Sequence, residues 1–165
     1  MGRLGQIPRQ RILREAWRLR TPASPHLAAT LDDDPILPDS LSPPETSRPL
    51  VIEGAGGLLV PLTRRETFAH VFERWRIPVI LCARTTLGTI NHTLLSIEAL
   101  LRRSIPILGI AYIGYENLET EAIITGMSGV RRLGRLPHLD PLTPNSLLRA
   151  FDANFDHAAF RIGGA

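Results

Sequence analysis

The chain has 165 residues, 44% hydrophobic and 21% charged, which suits a globular protein with a sizeable core and excludes a disordered or fibrous class. All 19 basic residues are arginines, and the formal net charge is only +3. The arginines are scattered, and the densest group (Arg9, Arg11, Arg14, Arg18, Arg20) has no interleaved aromatics, so a solvated surface is expected and nucleic acid is not an expected partner.

The apolar runs are too short to cross a bilayer, and no charged-then-apolar leader opens the chain. A cytoplasmic location with no membrane partner is therefore expected. Cys82 is the only cysteine, which excludes an internal disulfide; it lies within Val79-Ile80-Leu81-Cys82-Ala83, where a buried strand thiol is expected.

Taken in order, Gln10 to Arg20 reads as a short helix or an extended arm. Thr21-Pro22-Ala23-Ser24-Pro25-His26 predicts a rigid turn, because both prolines restrict their neighbours. Asp32 to Pro49 is rich in Asp, Pro and Ser and predicts an exposed loop around a short helix. Val51 and Ile52 are β-branched and predict a buried strand over Pro49–Glu53, stopped by Gly54-Ala55-Gly56-Gly57. Phe68, Val71, Phe72 and Trp75 share one face of a helix predicted over Thr67–Trp75. Strands are predicted at 78–83, 106–113 and 130–136, with helices at 89–103 and 118–125. A last helix, at about 145–155, follows the start signal Thr143-Pro144.

Strands alternating with helices, each strand almost continuously apolar, predict an α/β fold with a mostly parallel sheet and helices on both faces. The expected organisation is one domain over residues 1–165, with an irregular segment at 1–48 and the α/β core at 49–165. Such sheets bind ligands beyond the carboxyl ends of their strands. Glu53 is predicted at one such end, where a carboxylate suits a divalent cation and the glycines let the backbone approach a ligand. An incidental Glu beside a tight turn fits the spacing equally well.

At a second end, Arg84-Thr85-Thr86-Leu87-Gly88-Thr89 runs into a helix start whose backbone N–H groups favour an anion. An ordinary cap by Thr86 or Thr89 is the alternative. The third, Gly134-Arg135-Leu136-Pro137-His138-Leu139, reads from its spacing as a proline-bounded connector. None of the five histidines has metal-ligand spacing; His26 and His92 are expected to hydrogen-bond within a turn and a helix.

Val-Ile-Glu-Gly-Ala-Gly-Gly (51–57) and Thr-Leu-Gly-Thr-Ile-Asn-His (86–92), the latter preceded by Pro-Val-Ile-Leu (78–81), resemble the signature segments of ATP-dependent dethiobiotin synthetases. Ser-Pro-His (24–26) and Gly-Arg-Leu-Pro (134–137) follow in the same order, so the resemblance spans about Leu19 to Asp152. It implies a P-loop NTPase-like fold and an enzyme of biotin biosynthesis. Such a ligase carboxylates 7,8-diaminononanoate with CO2, phosphorylates the carbamate with ATP and closes the ring to dethiobiotin, ADP and phosphate. Glu53 would then be a Mg2+ ligand, with Gly54, Ala55 and Gly56 on the phosphate side. Gly88, Thr89, Ile90 and Asn91 would hold the substrate carboxylate across a homodimer interface, and Pro137, His138 and Leu139 would lie near adenine.

The chain also departs from the family. Phosphoryl transfer in this class uses a glycine-rich loop ending in Lys-Ser/Thr, and no lysine is present, so no catalytic residue is assigned. The resemblance implies that the first strand and phosphate-binding loop, about 60–70 residues by typical βαβ lengths, are missing ahead of Met1. The chain alone is expected to be inactive and marginally soluble. Ile113 stands where many members carry an adenine-reading Asn, and Asn117 is nearby but shifted. The alternatives are a related cobyrinate-synthase or partitioning-type ATPase domain, and a non-catalytic remnant that dimerises.

Overall fold

The computed structural model describes residues 2–160, which form two compact units. One unit takes Arg14–Ile77 and Arg102–Ile105; the other takes the segment up to Leu13, Pro78–Leu101 and the chain from Pro106 onward.

In the first unit, α1 (Pro25–Leu31) begins directly after Ser24, whose carbonyl accepts the Ala28 N–H at 2.9 Å. The predicted rigid turn thus runs straight into a helix. Ser-Pro is a start signal of its own, since proline at the first helical position gives up no hydrogen bond. A 3-10 turn, Pro38–Ser40, is the short helix of the Asp/Pro/Ser-rich loop. Helix α2 (Phe68–Trp75) follows Thr67, whose N–H donates to His70 Nδ1 at 3.0 Å. Ala29, Ile36, Leu62 and Val71 form the core, with Trp17, Leu19, Leu41, Phe68 and Trp75 packed against it. Trp75 finds a partner for its indole N–H in the Leu41 carbonyl at 2.9 Å, as a partly buried indole requires.

The predicted buried strand at Pro49–Glu53 does not form. Val51 is 89% exposed, Leu50 and Ile52 are exposed as well, and no described strand pairs with this stretch. β-Propensity measures fit to a paired, half-buried surface, and no described strand of this unit pairs with the stretch, whose residues are absent from its core. Gln10–Arg20 contains no α-helix; a 3-10 turn at Arg9–Arg11 gives way to irregular chain.

The second unit carries the sheet. Strands β1 (Val79–Arg84), β2 (Ile107–Ile113) and β3 (Arg132–Leu136) are parallel in the order β1-β2-β3. They are connected by α3 (Thr89–Leu101) and α4 (Leu118–Ser128), and α5 (Pro144–Asn154) follows β3. The α/β parallel fold expected from the alternating pattern is thus present. Ala83, Ile97, Ile110, Tyr112 and Ile124 make the core between the sheet and helices α3 and α4. Thr143 starts α5 as its sequence signal predicts, its hydroxyl accepting the Ser146 N–H at 3.1 Å.

One expectation for β1 is corrected. Ile80 is 39% exposed and Cys82 is exposed, so this strand buries only alternate residues. An unbroken apolar run predicts two covered faces, but only Ala83 and Leu81 of β1 join the core beneath α3, and the alternate residues Ile80 and Cys82 stay exposed.

Candidate functional site

Because the three strands are parallel, their carboxyl ends lie on one rim, and the segments after Arg84, Ile113 and Leu136 all emerge there. Two of the predicted site segments, 88–91 and 137–139, therefore share this rim.

The first rim segment joins β1 to α3. Thr85 donates its N–H to the Ile113 carbonyl at 3.2 Å, Thr89 donates to Thr86 O at 3.2 Å, and His92 donates to Gly88 O at 3.2 Å, closing the first turn of α3. Gly88 has φ +90° and nothing within 4 Å of a built Cβ, so the backbone is open to a ligand. No side-chain hydroxyl caps this start among the described residues. Thr86 offers its carbonyl, and the buried Thr89 hydroxyl lies 3.4 Å from that of Thr93.

Gly88 and Thr89 line a cleft of about 290 Å3 together with Cys82, Arg84, His92 and Thr93, whereas Ile90 and Asn91 do not line it. The Thr89 N–H is taken by Thr86 O, and N–H groups at a helix start otherwise lack an intrahelical acceptor. A helix N-terminus with a guanidinium nearby suits a carboxylate. The sequence reading missed Arg84. It also expected His92 to hydrogen-bond within its helix; the backbone does, its carbonyl accepting from Ser96 Oγ at 2.8 Å, while among the described residues the ring makes no hydrogen bond and His92 lines the cleft. His26 does bond within its turn, with Nδ1 3.1 Å from Ser24 Oγ.

The second rim segment follows β2. Gly114 is buried with φ +131°, and a Cβ there would stand 2.4 Å from Thr85 Oγ1. Its N–H donates to Leu136 O at 3.0 Å, and its carbonyl accepts from Arg135 Nη1 at 3.1 Å. Arg135 Nη2 donates to Glu116 at 2.9 Å. Beneath them lies Glu121 of α4, 2% exposed, with Oε2 accepting from Arg132 Nε at 2.6 Å and Oε1 3.6 Å from Arg135 Nε. The Tyr112 hydroxyl donates to Glu121 O at 3.4 Å, and burial raises the pKa of this phenol above its ordinary value. Asn117 caps α4, its Oδ1 accepting the Thr120 N–H at 3.1 Å, so this side chain is committed to the helix.

In the third segment, Pro137 and Leu139 are half-buried and His138 is exposed. The His138 ring lies 4.7 Å from that of Tyr115, centroid to centroid.

Glu53 to Gly56 belong to the first unit. Glu53 is exposed and makes no hydrogen bond or ion pair among the described residues. Gly54 lies against α2, where a Cβ would come within 3.1 Å of Phe72 Cζ. Gly56 has φ +89°, and its Cβ would meet Val60 Cγ2 at 3.0 Å. Among the described residues no three His, Cys, Asp or Glu side chains gather as a metal site. A single carboxylate nevertheless suits Mg2+, which keeps several waters and takes other oxygens from phosphates. No helix among the described residues is long and apolar enough to cross a membrane.

The family model described as an AAA domain matches residues 2–146. The chain is similar to the ATP-dependent dethiobiotin synthetase BioD of Rhodopseudomonas palustris (strain BisB5), at 63% identity over 96% of this chain and 74% of that protein. It is similar to the protein of the same name from Brucella anthropi, at 60% identity over 98% of this chain and 76% of the other. The same holds for the Agrobacterium fabrum (strain C58) protein, at 59% identity, 97% and 76%. These identities favour the synthetase over a cobyrinate-type or partitioning-type domain. The segments that prompted the resemblance and relatives at this level of identity agree: the chain belongs to the family of ATP-dependent dethiobiotin synthetases.

Proposed function

We propose that this chain carries the substrate-side and base-side binding groups of a cytoplasmic dethiobiotin synthetase, working on 7,8-diaminononanoate, CO2 and ATP. The start of α3, Gly88, Thr89, Ile90 and Asn91, receives the carboxylate of diaminononanoate, and Arg84 adds positive charge at the same cleft. Pro137, His138 and Leu139 border the adenine. Gly54, Ala55 and Gly56 border the phosphates, and Glu53 is the residue that would hold Mg2+, which when bound would neutralise phosphate charge. Two copies pair, so that the carboxylate of one active site is held by the partner's α3.

In this scheme the residues of the chain orient rather than transfer. The anchored carboxylate fixes the distance from α3 to the two amines, so that the amine taking up CO2 and the amine closing the ring arrive in register. No residue here supplies the lysine charge that phosphoryl transfer uses. The observation that carries the proposal is the open start of α3 at Gly88, facing the cleft on the same rim as Pro137–Leu139.

The test is an NMR titration of the chain with 7,8-diaminononanoate. Amide shifts centred on Gly88–Asn91 are the expected result, and they should disappear with the amide-capped analogue of the substrate. Saturating ligand without movement at those four amides would overturn the assignment.

A further inference from the structure

Tyr115 is unusual on this surface. It is an aromatic residue at 77% exposure on a short loop, yet its backbone is tightly held. Arg135 grips both of its neighbours, Nη1 on the Gly114 carbonyl at 3.1 Å and Nη2 on Glu116 Oε1 at 2.9 Å. The guanidinium is itself fixed: its side chain is 13% exposed, and Nε faces the buried Glu121 Oε1 at 3.6 Å. Neither Glu121 Oε1 nor Arg135 Nε has a hydrogen-bond partner, so these two buried atoms are held to each other by charge. The Gly114 N–H is tied to Leu136 O at 3.0 Å. The ring set between these anchors leans on His138 at 4.7 Å with a 55° tilt and leaves most of its surface in solvent.

A rigidly mounted, solvent-facing aromatic beside an imidazole is a surface for a planar π ligand. We propose that Tyr115 is the stacking surface for the nucleobase, taking the place of a hydrogen-bonding Asn, and that Arg135, backed by Glu121, is the positioning residue that holds it there. The inference rests on the base-side assignment of Pro137–Leu139. Stacking supplies affinity from the base's flat face and needs no acceptor or donor pattern, which fits a loop where Ile113 offers none and Asn117 is spent as a helix cap.

The test is an NMR titration of the chain, with Tyr and His side chains carbon-13 labelled, using ATP, CTP and inorganic triphosphate as probes. ATP is expected to move the Tyr115 and His138 ring signals together with the His138 and Leu139 amides. CTP should move the rings less, and triphosphate should not move them. Tyr115→Ala is expected to weaken ATP binding about tenfold, and Tyr115→Phe to preserve it.

Movement of the His138 and Leu139 amides with a still Tyr115 ring, or unchanged affinity in Tyr115→Ala, would overturn stacking while leaving the base-side assignment standing. ATP that moves none of these signals would overturn both. For the positioning role, Arg135→Ala should abolish the ATP-induced Tyr115 shift in a chain that keeps its amide spectrum. Should that variant unfold, Glu116→Gln, at a side chain 61% exposed, carries the test. It is expected to reduce the ring shift, and an undiminished shift would overturn the role.

Discussion

Arg135 reaches from β3 to the carboxylate of Glu121 on α4, Nε to Oε1 at 3.6 Å, with both atoms sealed from solvent. Glu121 answers two guanidiniums, since Arg132 holds the other oxygen at 2.6 Å. Glu121→Gln keeps the shape and deletes the charge, leaving the buried Arg135 with only the exposed Glu116 as counter-ion. A loss of about 3 kcal/mol in folding free energy is expected, read as a lower urea midpoint. Arg132→Ala should cost under about 1 kcal/mol, because that side chain is 41% exposed and Glu121 retains Arg135.

Two glycines should respond in opposite directions. At Gly134 a Cβ would stand 2.3 Å from the Asn154 carbonyl oxygen, with φ +155°, so Gly134→Ala must push α5 away from β3. A loss of about 2 kcal/mol or more is expected. Gly126 is exposed within α4 with nothing near its Cβ position. Gly126→Ala should therefore stabilise by about 0.5–1 kcal/mol. Thermal unfolding of the two variants beside the parent checks both signs.

Asp32 ties down the chain before α1. Its carboxylate accepts the Thr21 hydroxyl at 2.6 Å and the Thr21 N–H at 3.1 Å, together with the Arg20 N–H. The hydrogen bond from Thr21 leads the causes that hold its pKa below the ordinary 3.8. A folded pKa below the unfolded one means that the unfolded chain binds the proton first as pH falls. The anchoring is thus intact above the unfolded value and is lost as pH drops through the folded one. The Arg20 and Thr21 amide signals should titrate together with a midpoint under 3.8, and Asp32→Asn should remove the titration.

The absence of lysine bears directly on turnover. An arginine cannot take over the loop lysine's role as a compact point charge on the phosphates. Purified residues 1–165 should release no phosphate from ATP above background, with or without diaminononanoate and bicarbonate. Turnover that scales with protein concentration would contradict this expectation.

What could be read ahead of the structure followed periodicity and punctuation. Helix α5 was announced by Thr143-Pro144, because caps act within four residues, and α3 by the apolar spacing of Ile90, Leu94, Leu95, Ile97 and Leu101. Val51 and Cys82 were misread for one reason: an apolar residue says that it tolerates burial, and only neighbours distant in sequence decide whether it is buried. Helix α1 was legible from Ser24-Pro25 but was subsumed in the turn. Of the site, the open start of α3 was visible, since its chemistry is local. Tyr115 was not, because its meaning depends on Arg135 and His138, which only the pairing of β2 with β3 brings alongside. Glu121 looked like any helix carboxylate until the fold enclosed it.

Gly54 lies beside α2 at the far end of the Phe72 ring, and no backbone hydrogen bond joins it to that helix among the described residues. Dispersion and water exclusion have no preferred direction, so a shift of the ribbon bearing Glu53 against that ring costs no donor its acceptor. A carboxylate carried on such a contact shifts without breaking a hydrogen bond, which suits the Mg2+-holding role proposed for Glu53.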